Sequence, residues 1–187
     1  TETVLNITSF DISGTVDGVV KTSGNSLNLT GTGRLQAGNG PQKTVIINYQ
    51  DISLRGAAEA NLDISAQSLG VSALATVSAD AKGFSSQSGP GSGNNGDSRF
   101  DEDQDTGAGY GGRGGQTDEN FAEGDSYGSV RNPTQLGSGG GAFDSRGGGK
   151  ILIDSQTADI SAEVSANAED SGNGAGGTIN IDASELV

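Results

Sequence analysis

The chain has 187 residues, a mass of 18.6 kDa, 31% hydrophobic residues, 33 glycines and a formal net charge of −14 with a pI near 4.1. So few apolar and so many small residues exclude a thick core and favour a thin, repetitive architecture of one domain. The charge disfavours nucleic acid and anionic lipid as partners and favours cations. With no Cys, His, Met or Trp, disulfides, thiol nucleophiles, thiolate zinc sites and the usual imidazole base are excluded, and with them most enzyme chemistry. No apolar run approaches the ~20 residues of a membrane span, so no membrane insertion is expected. The amino end carries no signal-peptide pattern, and the chain reads as a mature product or an excised segment.

Residues 1–84 carry a recurring apolar–polar–apolar triplet, the alternation of a strand with one buried face. The instances are Leu5-Asn6-Ile7, Leu27-Asn28-Leu29, Val45-Ile46-Ile47, whose middle residue is itself apolar, and Leu62-Asp63-Ile64, with starts 22, 18 and 17 residues apart. That spacing predicts a parallel stack of coils with corners at Gly24-Asn25, Gly31-Thr32-Gly33 and Gly38-Asn39-Gly40-Pro41. Asp-Ile-Ser recurs at 11–13, 51–53, 63–65 and 159–161. Asp11–Val16 also resembles Asp159–Val164, and Val77–Ala81 echoes Val164–Ala168. Residues 57–81 are alanine-rich enough to suggest helix, but their β-branched residues, serines and alternation through Leu62, Ile64, Val71 and Val77 predict strand.

Residues 85–106 form a low-complexity Ser/Gly/Asn stretch followed by an acidic cluster, expected to bulge from the stack. From 107 to 149 glycine dominates, as Gly107-Ala-Gly-Tyr-Gly-Gly-Arg-Gly-Gly115, Tyr127-Gly-Ser129, Pro133 and Leu136-Gly-Ser-Gly-Gly-Gly141. Tyr110, Phe121, Tyr127, Leu136 and Phe143, planted through it, argue for closely stacked backbone rather than a flexible linker. Strands resume at Ile151-Leu152-Ile153 and Ile179-Asn180-Ile181. The expected organisation is a single domain over 1–187, with regular coils over 1–84, a Gly-rich and acidic insertion over 85–149 and terminal coils over 150–187. Leu5, Ile7, Leu27, Leu29, Leu62, Ile64, Ile151, Ile153, Ile179 and Ile181 should point inward.

The ordered glycine series from 107 to 181, including Gly147-Gly-Gly-Lys-Ile-Leu-Ile153 and Gly172-Asn-Gly-Ala-Gly-Gly-Thr-Ile-Asn-Ile181, resembles glycine-rich right-handed parallel β-helix (pectin-lyase-like) domains of large extracellular and cell-surface proteins. The resemblance covers under half the chain. It implies an all-β, right-handed parallel β-helix in a structural, adhesive or carbohydrate-facing role, and leaves the acidic insertion unexplained. It also admits a polysaccharide lyase using calcium-bound carboxylates with Arg113, Arg131, Arg146 or Lys150 as base. Scattered cations offsetting an acidic field explain those four residues more simply.

Asp97, Asp101, Glu102, Asp103 and Asp105, continued by Asp118, Glu119, Glu123 and Asp125, supply the closely spaced oxygen ligands that Ca2+ requires. A solvated acidic loop accounts for them equally well. Asn6-Ile-Thr8 and Asn28-Leu-Thr30 are N-glycosylation sequons on outward strand positions, and equally read as ordinary outward asparagines. Tyr110 and Tyr127 read as covers for glycine backbone before sugar-stacking platforms. The expected role is a non-catalytic extracellular or cell-surface structural or adhesive module, self-associating head to tail or belonging to a longer protein. The alternatives are a calcium-assisted glycan-binding module and, behind it, the lyase.

Overall fold

The computed structural model describes residues 3–6, 8–95, 105–116, 121–169 and 173–187. Among them are twelve strands and no helix: β1 (Thr3–Asn6), β2 (Ser9–Ile12), β3 (Thr15–Asp17), β4 (Val20–Leu29), β5 (Arg34–Gln36), β6 (Thr44–Leu54), β7 (Ala57–Glu59), β8 (Asn61–Val71), β9 (Thr76–Ser78), β10 (Lys150–Ile160), β11 (Val164–Ser165) and β12 (Thr178–Leu186). They form two parallel sheets. The larger is ordered β1-β4-β6-β8-β10-β12, with β2 also on β4, and the smaller is ordered β11-β9-β7-β5-β3. From β3 to β12 the chain alternates between them. The expected all-β, parallel architecture is present, and residues 57–81 hold the strands β7, β8 and β9 and no helix.

Parallel pairing in register sets like positions side by side in columns. In the large sheet Val45, Leu62, Ile151 and Ile179 share one column, and Ile47, Ile64, Ile153 and Ile181 the next. Farther along the strands Leu27, Ile52, Leu69 and Ala158 form a third, and Leu29, Leu54, Val71 and Ile160 a fourth. The small sheet answers with Val16, Leu35, Ala58, Val77 and Val164. Leu27, Leu29, Leu62, Ile64, Ile151 and Ile153 are buried as predicted. Each such aliphatic contributes about 1.5–3 kcal/mol by leaving water. Leu5 is half-buried and packs against this core, and Ile7 lies outside the described residues.

Ile179 and Ile181 depart from the expectation. They belong to the inward columns, yet Ile179 is 41% exposed and Ile181 only half-buried. Among the described residues β12 is the outermost strand on its side, so these side chains are covered from one side alone.

The register also re-sorts the repeats. Leu27-Asn28-Leu29 is not the counterpart of Val45-Ile46-Ile47; it pairs with Ile52-Ser53-Leu54, the second half of β6. Asp11-Ile12 and Asp159-Ile160 are equivalent in depth, each leading into a corner before β3 or β11, while Asp51-Ile52 and Asp63-Ile64 occupy other columns. The echo of Val77-Ser78 in Val164-Ser165 is direct pairing. Corners between the sheets are columns of small residues. At one, the amides of Arg34, Ala57 and Thr76 donate to the carbonyls of Gly14, Gly33 and Gly56. At the other, Ala37, Ala60, Ala79 and Ala166 are all buried.

Between β9 and β10 the chain makes an excursion, yet β8 and β10 pair directly as if it were absent. Asn61, fully buried, closes the gap. Its side-chain amide donates to the carbonyls of Gly40 (3.1 Å) and Lys82 (3.0 Å) and accepts from the Lys150 amide (2.9 Å), tying the exit and return of the excursion to one strand start. The excursion itself is backbone on backbone. Gly83 N–H donates to Gly147 O (2.8 Å), Gly147 N–H to Phe84 O (3.0 Å), Phe84 N–H to Gly137 O (3.1 Å) and Gly137 N–H to Gly148 O (2.8 Å). A Cβ at Gly147 would stand 2.0 Å from Gly137 O, where no side chain fits.

Gly147→Ala should therefore destabilise the protein by about 1–3 kcal/mol or prevent folding. At Gly115 an added Cβ meets nothing within 4 Å, and Gly115→Ala should stay within about 0.5 kcal/mol of wild type. Denaturant midpoints of the two variants check this, and equal midpoints would contradict the close-packed backbone.

Candidate functional site

Each long strand of the large sheet breaks its alternation once. In β6 the inward residues Val45, Ile47 and Tyr49 are followed by two exposed residues, Gln50 and Asp51, before Ile52 and Leu54 turn inward again. β8 repeats this at Gln67-Ser68 and β10 at Gln156-Thr157. Two consecutive outward residues require the strand to bend. Because the strands are in register, the bends align into a groove of about 380 Å³ across the sheet. Its lining includes Asn48 and Gln50 from β6, Ser65 and Gln67 from β8, Asp154, Ser155 and Gln156 from β10, and Ser184 from β12. Adjacent strands lie about 4.8 Å apart, and the pairs that flank Gln50, Gln67 and Gln156 set these three positions in one row at about that interval. Among the described residues the groove's only charged lining residue is Asp154, in register with Asp182 of β12. Tyr49 lies beneath, 2% exposed, its phenol bonded to the Thr22 hydroxyl.

This row was not singled out from the sequence, although a signal exists: each glutamine stands five residues after the first aliphatic of its triplet, at Val45, Leu62 and Ile151, with Asn25 in the same place after Val20. What hid it was the excursion, which separates Gln67 from Gln156 in the chain while β8 and β10 hold them side by side.

Ser155 occupies the column of Tyr49, Ala66 and Ala183. It is 6% exposed, and its hydroxyl oxygen is buried without a hydrogen-bond partner among the described residues.

Of the predicted calcium ligands, Asp97, Asp101, Glu102 and Asp103 lie outside the described residues, as do Asp118 and Glu119. Asp105 is half-buried, bridged antiparallel to Asn95, and its carbonyl accepts from the Asn173 side-chain amide (3.0 Å). Among the described residues no three acidic side chains group to hold a metal. Glu123 and Asp125 line a polar hollow of about 420 Å³ with Ser92, Asn94 and Asn95. Arg113 reaches both, at 2.8 Å from Glu123 and 3.7 Å from Asp125. A hydrogen bond from backbone, the Gln116 amide (2.7 Å) and the Arg113 guanidinium hold the Glu123 carboxyl below its ordinary 4.5. Arg131 is exposed, Arg146 faces Glu169 at 3.9 Å, and Lys150 lines a small apolar hollow with Phe84, Tyr127 and Leu136. The four basic residues named as possible lyase bases thus fall at separate places.

Asn6 is exposed in β1 and accepts from the Ser23 hydroxyl (2.6 Å). Asn28 is half-buried in β4, between Asp11 and Ser53 across the sheet. Tyr110 and Tyr127 pair with ring centroids 4.9 Å apart at 58°. Tyr127 donates to Leu136 O and accepts from Ser138 Oγ (2.9 Å), while Tyr110 bonds Thr178. Burial pushes the Tyr127 phenol above its usual value. An added Cβ at Gly128 would meet the Tyr110 ring at 2.7 Å, and one at Gly91 the Tyr127 ring at 2.8 Å. Both rings therefore cover glycine backbone.

Comparison with models of protein families, with curated proteins and with solved structures finds no match to this chain.

Two outcomes follow. Ser155→Ala removes a buried hydroxyl with no partner among the described residues, at a position where both neighbouring strands carry alanine, and should leave stability unchanged or raise it by up to about 1 kcal/mol; a thermal melt reads this, and a loss of more than about 1 kcal/mol would show that the hydroxyl is satisfied. Glu123 has a folded pKa below its unfolded value, so its stabilising contribution is present above the ordinary value of 4.5 and disappears as pH falls through the lower folded value. Glu123→Gln should lack that component, so the two melting temperatures should converge as the pH is lowered from about 6 to about 3.

Proposed function

We propose that the protein is a right-handed parallel β-helix serving as a non-catalytic structural or adhesive module outside the cell. In this reading it joins further strands at the edge of its large sheet, from a second copy or from more of the same surface protein. The observation that carries the reading is the β12 edge. Ile179 (41% exposed) and Leu186 (62%) continue the inward columns of Ile151 and Ala158, beside a row of backbone groups with no further strand among the described residues. Such an edge is a template for another parallel strand, which would cover both apolar residues and pair the open backbone. The alternation of the chain between two parallel sheets, with small residues stacked at the corners, supports the β-helix, a form built to be extended coil by coil. Acidic excess on the outer surface keeps assembled stacks apart from one another.

Purified protein should show concentration-dependent growth in light scattering and end-to-end particles by electron microscopy. Ile179→Lys with Leu186→Lys should abolish both, because burying two cations in a new interface is prohibitive. A strictly monomeric wild type would remove self-association and leave only the longer-protein form; particles that survive the two lysines would place the contact elsewhere.

A further inference from the structure

We propose that the amide-lined groove of the large sheet binds a neutral, polyhydroxylated polymer, a glycan chain without acidic groups, lying across the strands along the row Gln50, Gln67 and Gln156. The inference extends the adhesive reading by naming a partner class, and rests on that reading for the role alone.

Geometry comes first. The groove presents equivalent side chains on three successive strands, β6, β8 and β10, with Ser184 of β12 continuing the line. A repeating site at intervals of about 4.8 Å suits a ligand that itself repeats. The chemistry follows. A primary amide offers two donors and a two-lone-pair acceptor, and a serine hydroxyl offers both functions. Such groups match sugar hydroxyls, which donate and accept at once, and the Asp154 carboxylate can accept from two of them.

Charge then selects among glycans. Among the described residues no Lys or Arg lines the groove. Asp154 lies in it, Asp182 and Asp51 stand on adjacent positions, and the chain carries −14 overall. Uronates, sulfates and phosphates would meet like charge with nothing to offset it. A peptide fits less well. It would add at an open strand edge or fill apolar pockets, whereas β6, β8 and β10 are paired on both sides and Tyr49, in the groove floor, is only 2% exposed.

Isothermal titration of the intact protein with cellohexaose, xylohexaose and mannohexaose, and with hexagalacturonate as the acidic counterpart, tests the proposal. At least one neutral hexamer should bind, with hexagalacturonate at least about tenfold weaker. The combined Gln50→Ala, Gln67→Ala and Gln156→Ala variant should lose at least about tenfold in affinity for that hexamer, while Thr76→Ala on the small sheet should not. No binding of any neutral hexamer, equal or tighter binding of hexagalacturonate, or full affinity in the triple variant would overturn it. The wild-type titrations decide the class of ligand even should the triple variant fail to fold. Assembly without hexamer binding would sink this inference and leave the structural reading standing; hexamer binding by a strict monomer would do the reverse for self-association.

Discussion

In-register parallel pairing is the constraint on which the rest of the structure depends. Each strand of the large sheet places its residues beside the same positions of its neighbours, so one row of aliphatics is buried by the rows on either side of it. This is how a chain with 31% hydrophobic residues acquires a core at all. Leu29, Val45, Ile47, Leu62 and Ile151 reach 0% exposure although no layer is thicker than a pair of facing sheets. A one-residue slip would send every inward column to solvent. The two-residue break at Gln50-Asp51, Gln67-Ser68 and Gln156-Thr157 is tolerated because all the strands make it together, and their common bend creates the groove.

The excursion between β9 and β10 obeys a different rule. With few large side chains to bury, its glycine segments satisfy their polar groups on one another, as the hydrogen bonds among Gly83, Phe84, Gly137, Gly147 and Gly148 show. Close approach is possible only without a Cβ, and the aromatic rings of Tyr110 and Tyr127 close over the backbone where it would otherwise be wet. Asn61 couples the two regimes. Three hydrogen bonds from one buried side chain bind a sheet strand, a corner and both ends of the excursion, and each would leave a costly orphan if removed.

The acidic charge is distributed with consequence. Arg34 pairs with Glu59, Arg113 with Glu123, and Arg146 with Glu169, so these cations are engaged locally. Among the described residues the amide groove has none, and it is lined by amide and hydroxyl groups with the Asp154 carboxylate. The edge at β12 differs again: Ile179 and Leu186 are exposed on one strand and in line with buried columns, whereas Val4, Leu74, Val130 and Phe143 are exposed elsewhere.

Strand identity was legible from the sequence by itself, because alternation with period two is a local property: Leu27-Asn28-Leu29 and Leu62-Asp63-Ile64 announce one buried face without reference to any partner. So was the close-packed character of the glycine-rich stretch, since aromatic residues set at intervals among glycines have little use in a solvated linker. The residue columns were not. The triplet Leu27-Asn28-Leu29 matches Leu62-Asp63-Ile64 as a pattern, yet the fold aligns it with Ile52-Ser53-Leu54, because pairing is settled by the backbone ladder and the corner lengths rather than by similarity of short words. Nor could the sequence show that Gln67 and Gln156 are neighbours. Their adjacency arises only when Asn61 returns the chain to β8 at the end of a long excursion, and a contact between distant residues is decided by the closure of that loop, which no local preference encodes.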